Sequence, residues 1–254
     1  MWPGRGRSWS HLVSDTSYGE LHAFADAHGI PRGACEGDHY DVPEERYAAL
    51  VAAGAQPATT RQLLVLLGRA NLRLRKRKGE RGLARVVAAR LADGSVVDVD
   101  LVRSAQPAPE AAVFAATVVV GDGQGRYAVV WSPRRQEWSV PGGRREQGES
   151  VVACAVREVA EETGLVLSAA ALEPWGYERF TPVSGDGVWP AGGGLLQLYR
   201  SSVPAAAAEL ASSLPDAEDA RWVGAVELEE LCRERFWWPL VESALGSGAA
   251  SGLG

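Results

Sequence analysis

The chain has 254 residues, room for two domains of ordinary size, and its 46% hydrophobic and 23% charged residues match a globular protein. A net charge of −6 excludes a protein that coats nucleic acid with its whole surface. No apolar stretch approaches the roughly 20 residues of a membrane-spanning helix, so no partner membrane is expected.

The three cysteines, Cys35, Cys154 and Cys232, are odd in number, widely spaced and never in a CxxC pair. That excludes a disulfide framework or a zinc ribbon and points to a reducing cytoplasm. Positive charge is almost all arginine, with Lys76 and Lys78 the only lysines, which reads as genome composition bias. The start, Met1-Trp2-Pro3-Gly4-Arg5, lacks the apolar run of a secretory signal.

In chain order, Ser17-Tyr18-Gly19-Glu20 predicts a capping box. Leu21, Phe24, Ala25 and His28 follow at helical spacing, and Gly29 ends the helix. Ile30–Cys35 reads as a short extended piece. Pro43, Glu44 and Glu45 open a second helix that Gly54 closes, and Thr59 or Thr60 caps a third, which carries Leu63, Leu64, Leu66, Leu67 and Ala70. This alternation predicts a small α/β domain. Arg73–Arg81 is strongly basic. Leu83–Arg90 and Val96–Val102 flank Asp93-Gly94, a hairpin signal, and Val97, Val99 and Leu101 alternate with Asp98 and Asp100 as in a half-buried strand. Gln106-Pro107-Ala108-Pro109 reads as a linker.

The second half opens with the apolar run Ala111–Val120, and a glycine-rich turn leads to a strand at Tyr127–Trp131. A short strand at Trp138–Val140 reaches Pro141-Gly142-Gly143. A helix is predicted from Val151 to Thr163, stopped by Gly164. Strands near Leu165–Tyr177, Leu195–Val203 and Ala220–Val223 follow, then helices near Val226–Arg233 and Pro239–Leu245. The Gly/Ser/Ala-rich tail Gly246–Gly254 is expected to be disordered.

The chemistry sits in GRREQGESVVACAVREVAEETGL, beginning at Gly143. Glu158, Glu161 and Glu162 stand at i, i+3 and i+4, so their carboxylates share one helical face. Val152, Ala155, Val156 and Val159 fall on another face, suited to anchoring the helix on a sheet. Carboxylates this close repel unless a cation neutralises them, and hard divalent ions, Mg²⁺ or Mn²⁺, are their natural partners. Glycines at 142 and 143 let backbone approach the site. Arg157 is placed to pair with Glu149 or Glu158. A solvated acidic face is the competing reading of the three glutamates alone.

The segment resembles the Nudix box, G-x5-E-x7-R-E-U-x-E-E-x-G-U with U apolar, at every fixed position. A chance match is on the order of 10⁻⁸ per starting point at average residue frequencies. The resemblance spans about Ala111 to Leu245. It implies an α/β/α sandwich with a mixed sheet, and hydrolysis of a diphosphate linkage in a nucleoside diphosphate joined to another group, with Mg²⁺ or Mn²⁺ as cofactor. By the family pattern Glu158 and Glu162 are metal ligands, Glu161 joins them, and Gly142 offers its carbonyl. Arg157 and Glu149 complete the catalytic group, with Glu158 or Glu161 as general base. The family often uses an acidic residue shortly before a late-strand tryptophan. Asp216, Glu218 and Asp219 precede Trp222, and Glu218 is favoured. Arg134 and Arg135 either meet substrate phosphate or lie in a solvated loop. Trp175, Tyr177, Phe180 and Trp189 either stack a base or pack under a long loop. Cys154 reads as packing.

All four histidines fall between positions 11 and 39, in or near Trp9-Ser10-His11-Leu12-Val13-Ser14-Asp15 and Gly37-Asp38-His39-Tyr40-Asp41. They serve either metal or acid–base chemistry, or caps and turns; their spacing matches no metal motif. This half resembles an uncharacterised small domain with similar WSHLVSD and GDHYDVPEERY segments, sometimes joined to a Nudix domain. Members begin with a short strand ahead of the WP-x-x-GR segment, so a first strand is expected upstream of Met1. Arg69, Arg73, Arg75, Lys76, Arg77, Lys78 and Arg81 read as a solvated interdomain segment rather than a nucleic-acid surface, since no aromatic residue interleaves them.

The expected organisation is therefore a small α/β domain at 1–103, a linker at 104–110, a Nudix domain at 111–245 and a tail at 246–254. Residues 108–246 are expected to fold and act alone. The expected partner is a nucleotide or nucleotide-derived small molecule, and a homodimer is compatible with this reading. The competing function is a nucleotide-sensing regulator whose first domain binds a macromolecule. A third reading places a second catalytic site around His11 and His39.

Overall fold

The chain divides between residues 87 and 88, into Met1–Val87 and Ala88–Gly254. The computed structural model describes residues 2–4, 6–184, 194–204, 209–211 and 219–245. The tail beyond 245 lies outside the described residues.

In the first unit, β1 (Trp2–Gly4), β2 (Arg7–Leu12) and β3 (Tyr40–Pro43) form an antiparallel sheet in that order. Helix α1 (Tyr18–Ala27) starts at Ser17, whose hydroxyl accepts the Glu20 N–H. The predicted capping box is half built, because the Glu20 carboxylate accepts from Ser14 Oγ. Ile30–Cys35 is not extended: Arg32–Ala34 makes a 3-10 turn closed by an Ala34 N–H bond to the Pro31 carbonyl. Helix α2 (Glu44–Ala52) follows Pro43 as expected. Helix α3 (Thr60–Arg69) has a complete capping box between Thr59 and Gln62. Leu21, Ala25, Ile30, Tyr40, Val42 and Leu50 form the core. Of the α3 side chains only Leu67 is buried, while Leu64 and Val65 stay about half exposed.

Strand β4 (Arg81–Arg90) crosses the division, and β5 (Val96–Arg103) follows the expected turn at Asp93-Gly94. The remaining elements are β6 (Val113–Gly121), β7 (Arg126–Ser132), β8 (Glu137–Ser139), β9 (Gly142–Arg144), α4 (Val151–Thr163), β10 (Glu173–Ser184), β11 (Gly194–Ser202), β12 (Ala220–Gly224), α5 (Ala225–Cys232) and α6 (Trp238–Glu242). The sheet order is β12-β7-β6-β11-β10-β5-β4, with β8 on β7 and β9 on β6. The β6–β11 pair is parallel and β10 runs antiparallel to both β11 and β5, so the sheet is mixed. Between β6 and β7 the register holds only at Gly121 and Tyr127. The sheet opens there, and α4 packs against β6, β9, β7 and β12. Helix α5 packs on β12, β7 and β8, and α6 on β5. This is the α/β/α arrangement with a mixed, curled sheet that the sequence led us to expect.

The expected domain limits require correction. Strand β5 pairs with β10 from Val96–Ser184 to Arg103–Gly176, inside the second unit rather than closing the first. Val97, Val99, Leu101 and Val102 are buried, and so are Asp98 and Asp100, so the strand is covered on both faces. The segment 104–110 is no free linker. Ser104 N–H donates to the Trp175 carbonyl, and Ala108 N–H donates to Gln197 Oε1. Local alternation identifies a strand but not the sheet that receives it.

Candidate active site on the acidic helix

Helix α4 begins where Ser150 Oγ accepts the Ala153 N–H and ends at Gly164, which takes the left-handed conformation at φ 73°. Its buried stripe is Val151, Cys154, Ala155, Glu158, Val159 and Thr163. Val152 and Val156, expected on the anchoring face, are only partly buried. The core face and the carboxylate face thus meet at Glu158, which belongs to both.

Gly143, in β9, lies against Glu158, and a Cβ there would run into the Glu158 carboxyl group. Gly142 N–H donates to Glu162 Oε2 at 2.9 Å. Across from this loop, Arg157 forms a fork with Glu149, Nε to Oε1 at 2.9 Å and Nη2 to Oε2 at 3.0 Å. Its Nη1 donates to Glu158 at 2.8 Å and Glu161 at 2.9 Å, and its Nη2 to the Arg144 carbonyl at 3.0 Å. One guanidinium therefore sets three carboxylates. Its bond to Glu149, together with the other carboxylates, holds Arg157 well above the usual arginine range against the cost of burial. Cys154 Sγ reaches the Gly143 carbonyl at 3.6 Å, and burial pushes its thiol up to about 11, as a packing residue requires.

Burial also raises Glu158 above the usual carboxylate range, although Arg157 opposes the shift. Glu162 is pushed up to about 7, first by burial and then by the nearby charges of Glu158 and Glu161, against the Gly142 hydrogen bond and the field of Arg135. Among the described residues no ion pair reaches Glu162. Three crowded carboxylates, one without a cationic partner, are the donor set of a hard divalent ion, so the residues fit the metal that the box implies.

The other expected residues fall into three groups. Arg135 donates to Glu137 Oε1 at 2.9 Å and Ser139 Oγ at 3.0 Å, while its charge reaches Glu162 and Glu178. Arg134 is exposed and forms no hydrogen bond or ion pair among the described residues. Glu218 and Trp189 lie outside the described residues. The aromatic residues pack: Tyr177 and Phe180 are buried, and Trp175 lies between the guanidinium groups of Arg103 and Arg200 at 4.4 and 4.1 Å. The sequence reading missed Glu178, buried on β10 with its carboxyl pushed up to about 8 by burial. Its signal was present as a carboxylate between Tyr177 and Phe180 in a strand whose neighbours are core residues.

A mixed curled sheet holding an acidic helix against a glycine loop defines a Nudix-type hydrolase. The NUDIX domain family matches residues 112–240, and the chain belongs to that family. It is a Nudix hydrolase, a class acting on phosphorus-containing acid anhydrides. A family described as "Protein of unknown function (DUF4031)" matches residues 1–70. No curated protein matches the chain.

Among solved structures, the chain is similar to the pyrophosphohydrolase BsRppH of Bacillus subtilis, at 19% identity over 50% of this chain and 72% of that one, with a TM-score of 0.37. It is similar to the NUDIX domain of Shewanella oneidensis NrtR, solved with ADP ribose, at 18% identity over 52% and 85%, with a TM-score of 0.40. The E. coli dihydroneopterin triphosphate pyrophosphohydrolase gives 17% identity over 52% and 94%, with a TM-score of 0.40.

Proposed function

We propose that the second unit hydrolyses a diphosphate linkage in a nucleoside diphosphate joined to another group, with Mg²⁺ or Mn²⁺ as its cofactor. The observation that carries this reading is the Glu158, Glu161 and Glu162 face, where Arg157 holds the first two carboxylates and the Gly142 N–H holds the third. Those three carboxylates and the Gly142 carbonyl would hold the ion. When bound, it supplies polarisation of phosphate oxygens and a lowered pKa for the attacking water.

The chain's own residues do the positioning. Arg157 holds Glu149, Glu158 and Glu161 in register. Glu158 or Glu161 accepts the proton of the attacking water. Arg135 offers positive charge beside the carboxylates for a phosphate group, and Glu218 stays an assigned contributor on the sequence pattern alone. No helix among the described residues is long and apolar enough to cross a membrane. Free thiols at Cys35, Cys154 and Cys232 support a cytoplasmic setting.

The test is a screen of the purified full chain against nucleoside diphosphate derivatives with Mg²⁺ or Mn²⁺, with products identified. Hydrolysis at the diphosphate, abolished by chelation and reduced on the order of 100-fold or more by Glu162→Gln, is the expected result. Full activity after exhaustive chelation, or in Glu162→Gln, would remove the metal assignment.

A further inference from the structure

The first unit gathers two of its histidines and an aspartate in one cluster. His11 on β2 and Asp41 on β3 are a cross-strand pair, and His39 lies just before β3. Their potential ligand atoms all lie within 4.8 Å of one another. His11 Nε2 and His39 Nε2 each stand 3.5 Å from the same oxygen, Asp41 Oδ1. The two rings meet edge-on with centroids 4.4 Å apart.

Asp41 Oδ1 is buried and has no hydrogen-bond partner. At 3.5 Å the imidazole nitrogens are too far for good hydrogen bonds. Ligand atoms about 2.0 Å from a tetrahedral ion stand about 3.3 Å apart, close to the separation seen.

Asp38 prepares one ring for this role. It is buried, and its Oδ1 lies 2.7 Å from His39 Nδ1. Its Oδ2 accepts from Arg73 at 2.8 Å and from the Leu74 N–H at 2.9 Å. An ionised acceptor at Nδ1 places the His39 proton there and leaves the Nε2 lone pair facing Asp41.

We propose that the first unit carries a metal site of its own, in which His11, His39 and Asp41 hold one divalent transition-metal ion and leave a coordination position open to water. Two imidazoles and one carboxylate suit zinc-class ions rather than Mg²⁺. The side chains of His11 and Asp41 are 34% and 39% exposed, so the site is not sealed as a purely structural one would be. His11 also lines a groove with Ser10, Asp15, Glu20, Thr59 and Thr60, which gives a small ligand access to that side. Asp38 acts as a positioning residue through His39.

The experiment uses the full chain, stripped of metal and titrated with Zn²⁺ or Co²⁺ under a large excess of Mg²⁺ to occupy the acidic helix. One Zn²⁺ per chain is expected, retained in Glu162→Gln and weakened on the order of 10- to 100-fold or more in His11→Ala and Asp41→Asn. Asp38→Asn should weaken it on the order of 10- to 100-fold without being a ligand. Co²⁺ should give a visible absorption band that His11→Ala removes. Zn²⁺ should also raise the wild-type melting temperature, a readout that needs no variant to fold. Unchanged stoichiometry in a folded His11→Ala, loss of Zn²⁺ through Glu162→Gln alone, or wild type that takes up no Zn²⁺ would each overturn the proposal.

Discussion

Arg157 is the residue on which the acidic helix depends for its geometry. Its fork to Glu149 and its bonds to Glu158 and Glu161 need a planar group with several donors, and lysine keeps only the charge. Arg157→Lys should lower kcat on the order of 10- to 100-fold and leave KM nearly unchanged, because contacts to bound substrate survive. Steady-state kinetics at saturating metal decide it; a large KM rise at constant kcat would make Arg157 a substrate-binding residue instead. Glu178 carries a second prediction at this scale. Its folded pKa of about 8 lies above the unfolded value of about 4.3, so between those values the folded state holds the extra proton. Stability from this group therefore falls as pH rises through that window, and the cost is complete above the folded pKa. Glu178→Gln, neutral at every pH, should gain on wild type between about pH 5 and 8, by a few kcal/mol at most. Urea midpoints at the two ends of the range measure it, and a difference that does not vary with pH would mean Glu178 is already ionised or solvated.

At the scale of elements, β5 is the strand that completes the Nudix-type sheet. It buries Val97, Val99, Leu101 and Val102, each contributing about 1.5–3 kcal/mol. That total rivals the whole stability of a typical domain, roughly 5–15 kcal/mol. A fragment starting at 108 loses this strand and exposes the edge of β10, so it should be insoluble or unfolded. One starting at 88 should fold and hydrolyse substrate. Far-ultraviolet circular dichroism and turnover of the two fragments compare them directly, and a stable, active 108–245 fragment would show that β5 is dispensable. Helix α4 was legible to the residue, because Ser150, the 3.6-residue pattern and Gly164 are all local signals. Residues 104–110 were not, since Pro107 and Pro109 look the same in a free linker and in a segment bonded to Gln197.

For the molecule as a whole, the basic stretch after α3 carries little free charge. Arg73 pairs with Asp38, Lys76 and Arg81 with Glu36, and Arg77 with Glu80. With a net charge of −6, binding of single-stranded RNA should be no tighter than nonspecific contact, on the order of 10⁻⁴ M or weaker at physiological salt. Fluorescence anisotropy over a salt series tests this; tight binding with a steep salt dependence would show those pairs opening for phosphate.

The sequence by itself determined the acidic helix, its caps, the Gly143 approach and the class of chemistry, because each rests on neighbours within about two turns of one helix or one tight loop. The same holds for α2, α3 and the Asp93-Gly94 turn. Only the tertiary structure decided that β5 belongs to the second unit, that Glu178 is buried, and that Glu158 is at once core and site. It alone joined His11 to His39 and Asp41, residues far apart along the chain that meet when β2 pairs with β3. Spacing along a chain reports contacts inside one element, whereas strand pairing and desolvation depend on partners that local sequence does not name.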